Sequence, residues 1–247
     1  MVNSWLIPSG EVNSYRAFDS ALSQCRACPR LVKWREKVAR DKRASFIAEA
    51  YWGRPVPGFG DVKAWLMVLG LAPAAHGGNR TGRIFTGDRS GDWLFAAIHR
   101  AGLSNQPESF AKSDGLKLRG VRVTAAVHCA PPENAPTPSE KKNCASWLNA
   151  EFRLLQPTLR AVVALGNFAW GAAFGSLAEA GYSVPRPRPK FGHAVKIELT
   201  ASEVRNKRAS AITLIGSYHP SQQNTFTGRL TEPMLDEVFA LAKACNN

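Results

Sequence analysis

Hydrophobic positions along this chain gather into short, mostly apolar runs separated by glycine- and proline-rich loops and by helix-period segments. Ala64 to Leu69 (AWLMVL), Val121 to Val127 (VRVTAAV), Ala161 to Leu165 (AVVAL) and Ala211 to Ile215 (AITLI) are such runs. Consecutive apolar positions of this length predict strands buried on both faces, the parallel-sheet type. Between them the period changes. Asp92 to Leu103 places Leu94 and Ile98 on one helical face, and Thr137-Pro138-Ser139-Glu140 is a capping box with proline at the first helical position. A helix is therefore expected from about Pro138, with Cys144, Trp147 and Leu148 on a common face. Residues 11–50 read as helical. Gly53 to Gly60 (GRPVPGFG), Arg186 to Lys190 and Thr200 to Ser210 read as loops, the first as a candidate nucleic-acid-facing edge. The alternation predicts an α/β fold, a four-stranded, mostly parallel sheet covered on both faces. Such sheets carry their sites at the carboxyl ends of strands. The three loops with chemically promising residues follow Leu69, Val127 and Ile215.

Length and composition narrow this further. The 247 residues fit one α/β domain, or at most two small ones, and 45% apolar against 21% charged residues argues for a folded chain. No apolar run approaches the ~20 residues needed to cross a bilayer. The longest, Ala64 to Ala75, is broken by Gly70 and Pro73. The N-terminal MVNSWLIPSGEVNSYRAF lacks a basic start followed by an apolar stretch, so no secretory signal is read and a cytoplasmic location is expected. With 32 Lys and Arg against 19 Asp and Glu, the formal charge is +13. That excess suits a polyanionic partner such as nucleic acid, and it also fits a merely soluble basic protein. A membrane surface would want a long basic amphipathic helix, whereas Lys33 to Arg43 is short and carries two acids.

Five cysteines, at 25, 28, 129, 144 and 245, form an odd set in a chain read as intracellular, which argues against a disulfide framework. Cys25-Arg26-Ala27-Cys28 is a C-x2-C pair. Cys129 and Cys144 would have to join it by folding. Four thiolates without histidine fit a [4Fe–4S] cluster at least as well as zinc, whose ribbons place a second C-x2-C pair nearby. The alternative is a redox or zinc pair with Cys129 and Cys144 as buried apolar thiols. Cys245 has no evident role.

Three motifs carry candidate chemistry. Gly70 to Gly91, GLAPAAHGGNRTGRIFTGDRSG, is neither a P-loop nor GxGxxG. Its glycines let backbone amides approach a ligand. Its His76, Arg80, Arg83, Phe85 and Asp88 suit a planar ligand beside a phosphate backbone. In CAPPENAPTP, Asn134 either orients a water or forms a turn between prolines. In SYHPSQQN, His219 follows a strand and is locked by Pro220.

At GLAPAAHGGNRTGRIFTGDRSG, CAPPENAPTPSE and HPSQQNTFTGRLT, the sequence resembles the uracil-DNA glycosylase superfamily, most closely its family 5. The resemblance runs from about Cys25 nearly to the C-terminus. It implies a single domain over residues 1–247, with a helical segment 11–50, folded as a three-layer α/β/α sandwich. The implied activity is hydrolysis of the N-glycosidic bond of a damaged base flipped from double-stranded DNA. Cys25, Cys28, Cys129 and Cys144 match the [4Fe–4S] ligands of families 4 and 5. Phe85 matches the aromatic that stacks on the base, with Gly70, Ala72 and Ala125 around it. His219 matches the histidine that hydrogen-bonds the departing base, and Asn134 the asparagine that holds the attacking water. Asp88 either assists that water and the cationic sugar or caps the helix near Asp92. Arg80, Arg83, Ser221, Asn224 and Arg229 are implied DNA contacts, Arg229 as wedge or phosphate ligand or simply solvated.

Two departures matter. Leu71 and Ala72 stand where other families place a water-activating polar residue, which puts more weight on Asn134. Ala125 stands where family 4 has a uracil-reading asparagine, so base discrimination is expected to relax toward hypoxanthine and xanthine. No lysine stands in the motifs, so a monofunctional enzyme is expected, and the resemblance implies a monomer. A lesion-binding protein and an iron–sulfur redox sensor are the alternatives; an inert relative should lack His219, Asn134 or both, and the sensor would lose function on cluster reduction yet tolerate loss of His219.

Overall fold

A computed structural model of the protein describes residues 14–201 and 211–246. The expected loop over 200–210 lies, from residue 202 onward, outside the described residues, as do residues 11–13 of the helical N-terminal segment. The described chain opens with two helices, α1 (Tyr15–Ser23) and α2 (Pro29–Asp41). They are not one continuous helix. The break falls on the C-x2-C pair, with Cys28 as N-cap of α2 and Pro29 at its first position. A 3-10 turn (Ala44–Phe46) and the edge strand β1 (Phe59–Gly60) follow. Then come β2 (Leu66–Gly70), the short α3 (Gly78–Thr81), α4 (Arg89–Arg100) and β3 (Val121–Ala125). The capping box at Thr137 and Glu140 starts α5 (Pro138–Leu155), which leads to β4 (Ala161–Leu165) and α6 (Asn167–Glu179). The chain ends with β5 (Lys196–Leu199), β6 (Ile212–Ser217), α7 (Gln222–Phe226) and α8 (Glu232–Lys243).

The α/β class expected from the sequence holds, with six strands rather than four, in the order β1-β3-β2-β4-β6-β5. The central four pair in parallel, while β1 and β5 pair antiparallel at the two edges. The added strands escape an apolar-run criterion for physical reasons. β1 is only two residues long, and β5 (KIEL) is half exposed, as edge strands are. Within the loop expected at 53–60, Val56 also binds the segment after β3, its amide donating to the His128 carbonyl at 2.7 Å.

Strand alternation builds the two cores. Leu66, Val68, Val121, Val123, Val163 and Ile215 face one layer with residues of α4 and α8. Met67, Leu69, Val162, Ala164 and Leu214 face the other with residues of α5 and α6. Among the described residues, no helix is long and apolar enough to cross a membrane.

One pair of positions on β3 breaks the apolar pattern. Arg122 and Thr124 point to the α5 side, where buried Glu151 accepts from Arg122 Nε at 2.5 Å and from Thr124 Oγ1 at 2.6 Å. Arg122 also reaches Asp19 on α1 at 3.3 Å and lies 4.0 Å over the Tyr15 ring. The N-terminal helix is thus fastened to the sheet through a buried cation. Removing one partner of such a pair leaves the other charged and unsolvated. Glu151→Ala is expected to lose about 3–5 kcal/mol of unfolding free energy in urea titrations. Arg122→Met combined with Glu151→Leu is expected to recover much of that loss.

Candidate active site

A cavity of about 300 Å³ opens above the carboxyl ends of the strands and collects residues from all three motif loops. The Gly70–Gly91 loop contributes Ala72, Phe85 and Asp88, the segment after β3 contributes Asn134, and the segment after β6 contributes His219 and Ser221. Phe85 is the most constrained of these. Its φ is +52°, a left-handed conformation that is costly for a bulky residue and persists only where the surroundings impose it. Two glycines make room for it. A Cβ on Gly70 would meet the Phe85 ring at 2.7 Å, and one on Gly91 would meet its carbonyl oxygen at 1.9 Å. Gly70 and Ala125 were expected among the base-binding residues, but neither lines the cavity; Gly70 is buried under the Phe85 ring, and Ala125 is buried beside it as its strand partner.

The His219 ring lies 5.8 Å from that of Phe85, tilted by 33°. Its backbone carbonyl accepts from the Asn224 side chain and the Ser221 amide, both at 2.8 Å. Burial pushes the imidazole pKa down to about 4, so the ring is neutral around pH 7 and donates a single N–H. Asn134 follows Glu133, and both have positive φ (56° and 54°). This double left-handed turn holds the Asn134 side chain against the cavity, and among the described residues its side-chain amide has no hydrogen-bond partner. Asp88 fulfils its capping alternative, accepting from the Gly91 amide at 3.0 Å at the start of α4 while also lining the cavity. Burial raises its carboxyl pKa above the usual range, opposed by that amide. Gly77 leaves room for it, since a Cβ there would lie 2.1 Å from Asp88 Oδ2.

The arginines of the first motif are corrected by the structure. Arg80 and Arg83 are buried, and their donors are spent on internal acceptors rather than left for DNA. Arg80 pairs with Glu49 at 2.5 Å, donates to the His76 and Gly87 carbonyls and covers the Phe46 ring at 3.9 Å. Arg83 makes a two-pronged bond to buried Asp114 and donates to Ser109 and Thr86. Both clip the glycine-rich loop in place. Ser221 and Asn224 serve first to shape the His219 loop, Ser221 as N-cap of α7. Arg229 is exposed, stacked 4.8 Å from the Tyr218 ring. Beside it, Phe226 is 70% exposed at the end of α7. The sequence reading passed over this residue, though an aromatic within the polar run SQQNTFTGR is the signal that marks it.

The four expected ligand cysteines come together at the edge of this site. Cys28 and Cys144 pack against a cluster of Leu31, Val127 and Cys129, while Cys25 and Cys144 pack against Phe18, Leu22 and Trp147. Donors point at the sulfurs, from Arg35 to Cys129 at 2.9 Å, the His128 amide to Cys144 at 3.4 Å and Asn143 to Cys28 at 3.7 Å. Among the described residues, no three Cys, His, Asp or Glu side chains are close enough to share one metal ion. In a four-iron cluster each thiolate binds its own iron, so its sulfurs need not meet around a single ion. An all-sulfur donor set in an apolar shell, with N–H groups aimed at the sulfurs, fits such a cluster. Ala72 packs on the Leu31, Val127 and Cys129 cluster and also lines the cavity, joining the two sites.

Residues 57–243 match the model of the uracil DNA glycosylase superfamily. A type-5 uracil-DNA glycosylase of Mycobacterium bovis is 54% identical over 95% of this chain and 83% of its own length. The chain belongs to the uracil-DNA glycosylase superfamily. A type-5 relative from Thermus thermophilus is 49% identical over 92% of this chain and 96% of its own. A type-4 uracil-DNA glycosylase of Pyrobaculum aerophilum is 33% identical over 47% of this chain and 51% of its own, which places this glycosylase-family chain nearer the type-5 branch.

The neutral imidazole generates a prediction. A ring with its pKa lowered from 6.5 favours the folded state when uncharged, so this stabilisation is complete above about pH 6.5 and is drawn down as pH falls toward about 4. NMR titration of the His219 ring is expected to show a midpoint near 4, and a midpoint near 6.5 would contradict the burial.

Proposed function

We propose that this protein is a monofunctional DNA glycosylase that hydrolyses the N-glycosidic bond of uracil, and with relaxed discrimination of hypoxanthine and xanthine, in double-stranded DNA. It would open base excision repair, acting as a cytoplasmic monomer. The observation that carries the reading is the convergence of Phe85, a neutral His219 and an unpartnered Asn134 around one cavity. The names of the type-5 relatives support it.

The extruded base stacks on Phe85, for which Gly70 and Gly91 make room. As the C1′–N bond breaks, its electron pair moves onto the base. The His219 N–H donates to the base oxygen that takes up the negative charge, a preorganised donor that needs no proton of its own to leave. The Asn134 amide orients water toward C1′, and the water oxygen forms the new bond there while its proton is lost to solvent or to the departing base. Asp88, with one oxygen committed to its cap, faces the developing cation with the other. With Ala125 beside Gly70 in place of a longer amide, no buried partner is left unpaired by a purine, which supports the broader base range.

Cys25, Cys28, Cys129 and Cys144 would hold a [4Fe–4S] cluster, which when bound supplies a cross-link between the α1–α2 bend, the loop after β3 and α5. Exposed Arg229 is assigned to phosphate contact.

Duplexes with one labelled uracil or hypoxanthine test the reading. Strand breakage only after alkali is expected for both bases. Breakage without alkali would refute a monofunctional mechanism, and tight binding without breakage would favour a lesion-binding protein. His219→Ala and Asn134→Ala are each expected to lower single-turnover excision by about a hundredfold or more while DNA binding persists. Ala125→Asn is expected to raise the ratio of uracil to hypoxanthine excision, and an unchanged ratio would remove Ala125 from specificity.

A further inference from the structure

Four arginines are buried among the described residues, and three of them have carboxylate partners. Arg80 pairs with Glu49, Arg83 with Asp114, and Arg122 with Glu151 and Asp19. Arg35 on α2, 2% exposed, is the exception. Its Nη1 donates to Cys129 Sγ at 2.9 Å and its Nη2 to the Cys25 carbonyl at 3.0 Å, while its buried Nε has no partner. Neighbouring Glu36 is tied to Arg26 on the surface, and Glu140 to Arg30. A thiol and a carbonyl are neutral, and a permanently charged guanidinium is not buried stably against neutral acceptors alone. The groups around it that can supply negative charge are the cysteine sulfurs. Four thiolates outweigh the positive charge of an iron–sulfide core, so a bound cluster would be anionic.

We propose that Arg35 is the buried counter-charge of the cluster held by Cys25, Cys28, Cys129 and Cys144, and that it raises the reduction potential of that cluster. The inference rests on the cofactor reading above. The same guanidinium joins the two halves of the ligand set, binding Cys129 after β3 and the Cys25 backbone in the α1–α2 bend. It is a positioning residue as well as a charge. A nearby positive charge favours the more negative, reduced form, and hydrogen bonds to sulfur act in the same direction.

The test compares wild type with Arg35→Met, Arg35→Gln and Arg35→Lys, all purified anaerobically. Iron and acid-labile sulfide are measured first, then the midpoint potential on an electrode, then iron release to a chelator. Arg35→Met and Arg35→Gln are expected to shift the potential to more negative values, with iron lost about tenfold to a hundredfold faster. Arg35→Lys, which keeps the charge, is expected to restore the potential in larger part than the iron retention. Gln keeps a neutral donor of similar polarity, so the comparison stands if Met fails to fold. A cluster with unchanged potential and iron release in Met or Gln would overturn the inference while leaving the cofactor in place. Wild type without iron and sulfide would overturn the cofactor reading itself, and Arg35's role with it.

Discussion

A guanidinium can be taken out of water only if something inside the protein answers its charge and its hydrogen bonds, and this fold meets that condition with carboxylates for three of its four buried arginines. Each buried arginine ties together segments that are distant in sequence. Arg122 joins β3 to α5 and α1. Arg83 joins the glycine-rich loop to Asp114, and Arg80 joins the same loop to Glu49, just beyond the turn after α2. Arg35 reaches from α2 to the segment after β3. The glycine-rich loop and the segment after β3 are therefore held by charged anchors at their backs, while the Phe85 and Asn134 side chains stay unencumbered.

The cavity itself is shaped by missing side chains. Gly70 and Gly91 permit Phe85 to occupy a conformation it would otherwise avoid, and Gly77 admits the Asp88 carboxylate. In the proposed reaction the aromatic platform would thus be fixed before any base arrives, with no ordering of that ring needed on binding. His219 is preorganised in the same sense. Its loop is closed by hydrogen bonds to its own carbonyl, and burial keeps the ring neutral, the state in which it is a donor without being an ion. Ala72 connects this platform to the cysteine corner through direct packing, so movement of the N-terminal helices would be felt at the cavity wall.

Much of this was legible in the chain alone where local rules suffice. Mostly apolar runs located the four parallel strands, because burial on both faces favours apolar side chains; Arg122 and Thr124 on β3 are admitted only by their bonds to Glu151. Thr137 and Glu140 located the start of α5, because a capping box is satisfied within a few residues. The loops that carry Phe85, Asn134 and His219 stood out because each follows a strand end, where a parallel sheet leaves its loops open, while the individual residues were picked out by the family resemblance. Asp88 was left with two roles, since a cap and a cavity wall use the same carboxylate.

Local pattern could not decide the rest. Arg80 and Arg83 look like DNA ligands in a basic, glycine-rich loop, and only the arrival of Glu49 and Asp114 from 31 residues away in each case turns them inward. β1 and β5 exist because a neighbouring strand offers an open edge, which two or four residues cannot announce. Gly70 sits beneath the cavity because the ring of Phe85, fifteen residues on, covers it. Arg35 reads as one more charge on an amphipathic helix until its carboxylate is found to be missing. The sequence by itself determined the strands, the caps and the order of chemical loops, since these follow from the nearest neighbours along the chain. The tertiary structure decided which charges face inward and what answers them, since a counter-charge is defined by position in space.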